Sequence, residues 1–328
     1  AELLADGRVA VTFERADGEI GMEIIDIRDT PNVGGVYTPD SQIVGTIGND
    51  TFTAEADLNF GYIGNDTITD GGGINQIFGG AGDDTITIIG VDAAETVEGG
   101  AGDDTLVGTG MSNGTIYDLA AGTVTLGASV QVATSFLNVT GSSANETLIG
   151  NGAGNVLDGG IGNDTINGGG GGDVIFGGDG DDQLSGQVGD DTMTGGAGND
   201  TYFVNSAGDV VDEGAGLGTA DMVRSSVTFN LISAGGEIEN LTLLDGAAIN
   251  GTGNALANRI VGNTSVNTIN GGSGNDALLG GGSADSVSGG NNDDDLVGGG
   301  GDDDMAGGSG NDNLFGGANN DDLFGGVG

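Results

Sequence analysis

The chain has no cysteine, histidine, tryptophan or lysine, and only two prolines among 328 residues. Each absence removes a class of chemistry. Without cysteine there is no disulfide framework and no thiolate metal site. Without histidine there is no H-E-x-x-H zinc site, no Ser-His-Asp triad and no imidazole base. Positive charge is almost missing too: Lys plus Arg total 5 against 50 Asp plus Glu, a formal charge of −45. This balance argues against nucleic acid as a partner, since phosphates need Lys or Arg. It also repels an anionic membrane surface. No apolar run approaches the roughly 20 residues that span a bilayer, so no membrane span is expected. The start, Ala1–Asp6, has neither a basic n-region nor a long apolar stretch, so no signal peptide is visible. The missing initiator Met points to processing or to a fragment.

What is present is glycine, 74 residues of it, and acid. Glycine loses the most backbone entropy on ordering, and the carboxylates repel one another. A divalent cation would relieve the second problem, so composition alone points to a metal-coupled fold.

The chain repeats itself. Gly79–Thr87 reads G-G-x-G-x-D-x-U-x, where U is a large apolar residue, and the frame recurs at Gly99–Val107 and Gly159–Asn167. Twenty nonads in this frame, some degenerate, lie at 45–53, 61–87, 99–107, 141–203 and 253–324 and cover 180 residues. Position 8 is large and apolar in all 20, from Phe52 and Ile68 to Leu314 and Leu323. Position 1 is Gly in 19, the exception being Asp70. Position 6 is Asp in 15; Asn75, Glu146, Asn155, Asn258 and Asn267 take the other places.

Positions 7 to 9 alternate polar, apolar, polar, which predicts a three-residue strand with one inward face. Positions 1 to 6 predict a tight turn, with glycine supplying positive φ and close backbone approach. Two nonads make one coil of 18 residues, and coils stack about 4.8 Å apart as parallel strands. The expected fold is therefore all-β, a parallel β-roll with position 8 stacked inside as a narrow aliphatic core.

Nonads n and n+2 share a flank in this geometry. Asp164, Asp182 and Asp200 should line one side of the first long block, with Asp173 and Asp191 on the other. In the second block Asp276, Asp294 and Asp312 should face one way, and Asp285, Asp303 and Asp321 the other. Asp66, Asp84 and Asp104 hold the same position in the earlier nonads, as does the isolated Asp50. Carboxylate and carbonyl oxygens converging at such turns suit Ca²⁺, whereas Mg²⁺ demands tighter octahedral geometry. These Asp residues are the candidate ligands of several calcium ions. Asn155, Asn258 and Asn267 fall early in their blocks and read as polar-stacked leads into the ladder.

These tandem nonads resemble the hemolysin-type calcium-binding repeats of bacterial repeats-in-toxin (RTX) proteins. The resemblance implies Ca²⁺ held by turn carbonyls and the position-6 Asp, type I secretion without a cleaved leader, and folding outside the cell or at its surface. Tyr117–Val124 with Asn138–Ser142, and residues 201–254, are similar to linkers between such blocks in bacterial surface proteins.

Five stretches follow. Residues 1–44 are expected to form an N-terminal strand-and-hairpin cap or module remnant, with strands at 8–15 and 20–27 around a turn at Ala16-Asp17-Gly18-Glu19. Residues 45–140 are degenerate repeats and spacers. The first β-roll block is 141–203, the second 253–328, and 204–252 is a strand-rich spacer expected to continue the solenoid with longer strands.

Competing readings fail on particulars. Collagen needs a G-X-Y period and proline. The G-x-G-x-x-G strings have no P-loop lysine and no strand-to-helix context. EF-hands need a Glu at loop position 12 and flanking helices. No acidic pair outside the metal frame carries a catalytic signature, so no enzyme is expected. Three functions remain: a calcium-stiffened surface rod such as an adhesin stalk, surface layer or filament subunit; the calcium-binding export and folding module of a larger secreted enzyme or toxin; and a glycan- or ice-binding face. Threonine at position 7 is patchy, which disfavours ice. An uncovered last coil would allow copies to stack end to end into a homo-polymer.

Overall fold

The computed structural model describes residues 2–3, 8–14, 20–26, 42–45, 48–54, 58–71, 75–91, 95–214, 218–234 and 237–328. It is an all-β parallel solenoid of about 15 turns. The one helical element among the described residues is a 3-10 turn at Leu231–Ser233, capped by the Asn230 side chain accepting from the Ile232 N–H.

The strands are longer than the repeat pattern predicts. Val156–Ile161 and Thr165–Gly170 each hold six residues, from position 7 of one nonad through position 3 of the next. Burial explains the extension. In Val156–Ile161 both Leu157, at position 8, and Gly159, at position 1, face inward. The strand alternation thus runs through two inward positions, of which only the first carries a side chain.

Parallel pairing fixes the coil length. Leu157 lies opposite Ile175, and Ile175 opposite Met193, a shift of 18 residues each time. The predicted two-nonad coil is therefore the repeating unit. Seventeen of the 20 position-8 residues are buried, including Ile166, Leu184 and Ile260. Phe52 and Leu314 are half-buried and Leu323 is exposed. Each buried aliphatic side chain contributes about 1.5–3 kcal/mol.

The chain forms two compact units. The first holds residues 1–106 and 129–136. In it, Arg8–Glu14 pairs antiparallel with Ile20–Asp26 and Glu2–Leu3, as the sequence suggests for the first two. The predicted turn at Asp17-Gly18 and residues 15 and 27 lie outside the described residues. The coils of this unit follow, with Gln42–Val44, Leu58–Ile63, Gln76–Ala81, Thr96–Ala101 and Ser129–Thr134 on one face. Thr51–Ala54, Thr67–Asp70 and Thr85–Ile89 form the other.

The second unit holds residues 107–128 and 137–328. The spacer 204–252 continues its parallel pairing: Thr201–Val204 pairs with Met222–Ser225, which pairs with Asn240–Leu243, which pairs with Arg259–Val261. These spacer strands are shorter than those of the nonads, not longer as expected; Phe229–Asn230 and Gly251–Thr252 hold two residues each. No Gly-Gly pair follows the inward apolar residue of Met222–Ser225 or Asn240–Leu243, as it does in a nonad strand. The spacer's extra residues go into turns, so that Thr201 and Met222 are 21 apart where nonads would place 18.

Glycine at position 1 has a steric cause. A Cβ on Gly159 would lie 2.5 Å from Asp164 Oδ2 and 2.6 Å from the Gly177 carbonyl oxygen. Positive φ belongs instead to positions 2 and 4, as at Gly160 (97°) and Gly162 (132°). Two alanine substitutions separate these effects from mere loss of glycine. At Gly177 the new methyl would collide with Asp182 Oδ2 and sit 2.7 Å from the Gly195 carbonyl, whereas at Gly300 it would meet nothing within 4 Å. Thermal melts in saturating calcium should show Gly177→Ala costing about 1–3 kcal/mol. Gly300→Ala should stay within about 1 kcal/mol of the parent. Equal losses would mean that position 1 is not kept free for those oxygens.

Candidate calcium ladders

Each position-6 residue sits where a turn re-enters a strand, and its side chain points toward the coil before it. Asp182 Oδ1 accepts the backbone N–H of Asp164 at 2.7 Å, and Asp200 Oδ1 accepts that of Asp182 at 2.8 Å. Asp191 Oδ1 takes the Asp173 N–H on the other flank. The second block repeats the pattern, Asp276 to Asp294 to Asp312 on one side and Asp285 to Asp303 to Asp321 on the other. In the first unit Asp50, Asp66, Asp84 and Asp104 make the same chain. The flank assignment read from the 18-residue period is thus the arrangement found.

One oxygen of each accepting carboxylate is satisfied in this way; in thirteen of them the other is not. Oδ2 of Asp66, Asp84, Asp104, Asp164, Asp173, Asp182, Asp191, Asp200, Asp276, Asp285, Asp294, Asp303 and Asp312 is buried without a hydrogen-bond partner. All these residues except Asp312 are at most 2% exposed. Asp312 and Asp321 are half-buried. A buried carboxylate oxygen with no partner costs several kcal/mol, and a row of them cannot stand alone.

The asparagines supply the internal comparison. Asn155 Nδ2 donates to the Leu137 carbonyl at 2.7 Å, and its Oδ1 accepts the Asn151 N–H. Asn258 donates to the Ile238 carbonyl and Asn267 to that of Ile249, and each accepts a backbone N–H four residues earlier. At these three asparagines both side-chain atoms are partnered. At those thirteen Asp residues one oxygen is left over, facing the carbonyl of the next coil's first glycine as at Asp164 and Asp285. That oxygen-rich cradle, kept open by a missing Cβ, fits a hard cation such as Ca²⁺.

Burial sets the protonation of these carboxylates. It pushes Asp182 and Asp276 up to about 7, and Asp84, Asp164, Asp200 and Asp285 up to about 6; the backbone N–H each one accepts opposes the rise, and neighbouring carboxylates add to it. Without metal, protons are the positive charge that the fold recruits. A cation would take their place.

Sequence reasoning missed part of the ladder. Asp209 Oδ1 accepts the Asp191 N–H, Asp221 Oδ1 that of Asp200, and Glu239 Oε2 that of Asp221. The signal was an acid two residues before a buried apolar residue: Asp209 with Val211, Asp221 with Val223, Glu239 with Leu241. With its glycines out of the G-G-x-G-x-D pattern, the frame was not recognised. A second, exposed ladder at position 5 was also missed. There Asn163 accepts from the Asp181 N–H and Asp181 from that of Asn199. It runs in the opposite sense, so adjacent coils are stitched in both directions.

Fold and site together define an acid-laddered parallel β-roll with an oxygen-lined seam on its flanks. A model of the RTX calcium-binding nonapeptide repeat matches residues 60–87, 89–110, 140–175, 168–202, 176–211, 252–287, 273–305 and 297–328. These ranges take in more than half of the chain, which belongs to that repeat family. No curated protein matches the chain. Calcium is the ligand that such repeats imply, and proteins that carry them are typically secreted. No helix among the described residues is long and apolar enough to cross a membrane.

The raised carboxylate values carry a sign. Between about pH 4 and 7 the folded metal-free chain binds more protons than the unfolded one, so its stability rises as pH falls through that window. Calcium competes with those protons, so its affinity falls over the same range. Far-UV circular dichroism in chelator should show more β-structure at pH 5 than at pH 7.5, while calcium titrations should show weaker binding at pH 5. More metal-free structure at pH 7.5 would contradict the burial of the ladder carboxylates.

Proposed function

We propose that this chain is an extracellular, calcium-folded structural rod of a bacterial surface, an adhesin stalk, surface-layer or filament component, without enzymatic activity. The observation that carries this reading is the contrast within position 6: the side chains of Asn155, Asn258 and Asn267 are fully partnered, and thirteen Asp side chains each leave one buried oxygen free. The ligands are Asp66, Asp84, Asp104, Asp164, Asp173, Asp182, Asp191, Asp200, Asp276, Asp285, Asp294, Asp303, Asp312 and Asp321, joined by position-1 glycine carbonyls. Calcium neutralises the ladder and holds successive turns together. The chain is then unfolded where calcium is scarce and folded outside the cell, where such modules work at about 10⁻⁴–10⁻³ M. Type I export fits that order of events.

Repeats and repeat-like spacers run through residues 45–328, in the boundaries given above, which supports the rod reading. An uncovered coil presents unpaired strand edges, which a second copy could extend. A second reading draws on the antiparallel sheet of Arg8–Glu14 and Ile20–Asp26, which is built unlike the repeats. It makes the chain the calcium-dependent folding module of a larger secreted enzyme or toxin.

Calcium added to chelator-treated protein, followed by circular dichroism and particle size together, should convert a coil-like chain cooperatively to β-structure. Mg²⁺ should not substitute. Growth of particle length without limit would support the filament form, and a stable monomer the module form. Complete β-structure in chelator at neutral pH would remove the calcium-folding reading altogether.

A further inference from the structure

At the end of the first long block the nonad frame breaks, and a different acidic site takes over. One carboxylate oxygen from each of Asp200, Glu213 and Asp221 lies within 4.8 Å of the others. All three residues are at most 1% exposed. Only Asp200 belongs to a nonad; Glu213 and Asp221 come from the spacer.

The hydrogen bonds leave oxygens over. Asp200 Oδ1 accepts the Asp182 N–H and Asp221 Oδ1 accepts the Asp200 N–H, both at 2.8 Å. Glu213 Oε1 accepts from the Tyr202 hydroxyl at 2.6 Å. Asp200 Oδ2 and Glu213 Oε2 have no partner. Glu213 is thus a fully buried acid, held by a tyrosine on one oxygen and unpartnered on the other, inside a group of three carboxylates.

The surroundings depart from the regular turn. A Cβ on Gly159 would meet the next coil's glycine carbonyl, but at Gly195 the nearest oxygen besides that of Asp200 is the Tyr202 hydroxyl. A Cβ on Gly218 would collide with Asp221 Oδ2 and the Gly198 carbonyl together, so that carbonyl also lies beside Asp221. A regular turn offers one unpartnered carboxylate oxygen to its seam; here three carboxylates converge.

We propose that Asp200, Glu213 and Asp221 form a separate divalent-cation site, of Ca²⁺ character and tighter than the nonad turns, with Tyr202 positioning Glu213. More ligand charge means tighter binding for oxygen-coordinated calcium. The site stands where the repeat's glycine frame ends, so its ion ties the first block to the spacer coil. The inference rests on Asp200 being a calcium ligand, as proposed above.

The test uses the full chain, Ca²⁺ alone, and competition with a fluorescent chelator to count ions held at low free calcium. The parent should retain one ion after the others are released. Glu213→Gln keeps an acceptor for Tyr202 but removes the charge. It should weaken that tightest ion by about tenfold or more and leave the remaining uptake unchanged. Asp221→Asn should do the same. A parallel readout needs no disruptive variant. The near-UV signal of Tyr202, assigned by its loss in Tyr202→Phe, should saturate at lower calcium than the far-UV transition. An unchanged tight ion in Glu213→Gln, or a Tyr202 signal that moves only with the bulk transition, would overturn the site and leave Glu213 a protonated partner of Tyr202. A parent that takes up no calcium would instead overturn the reading of the ladders.

Discussion

The structure depends on one divided carboxylate. Each position-6 Asp gives one oxygen to the backbone N–H of the preceding coil, which sets the register between coils. In thirteen of them, from Asp66 to Asp312, the other oxygen is buried and left without a donor. The first bond holds the stack; the second oxygen makes the stack conditional, because a buried anion without a partner opposes folding. The same residue therefore builds the solenoid and withholds it until positive charge arrives. A protein with 50 acids and five arginines supplies almost none of that charge itself.

The rest of the repeat serves this residue. Position 1 is glycine because the Asp oxygen and the next coil's carbonyl occupy the space of a Cβ. Positions 2 and 4 take left-handed backbone to swing those carbonyls round the turn. Position 8 stacks inside and contributes the apolar stabilisation that so thin a fold can offer. In the spacer the apolar and acidic positions persist while the glycines do not; strands shorten and turns lengthen, yet Asp221 and Glu239 still take rungs of the ladder. Pairing between coils thus outlasts the glycine frame.

Much of this was legible in the sequence because the period is strict. Coil length, inward residues and the pairing of Asp164 with Asp182 and Asp200 all follow from counting by nine. Strand length did not, because an inward-facing glycine carries no hydrophobic signal, and the run through Gly159 and Gly160 read as turn. The spacer ladder was hidden because the glycines before Asp209 and Asp221 do not keep the nonad frame. Glu213 was not legible at all: its role comes from the fold bringing Tyr202 and Asp200 to it, and its spacing to either follows no repeat.

The central claim is that the orphaned Asp oxygens are calcium ligands, and anomalous scattering from crystals grown in calcium would test it most directly. The account predicts anomalous peaks along both flanks of the long blocks, each at 2.3–2.6 Å from an Asp Oδ2 such as that of Asp164 or Asp285, and none beside the side chains of Asn155, Asn258 and Asn267. Ladders free of anomalous density in calcium-saturated crystals, or ions bound only at exposed acids, would contradict it.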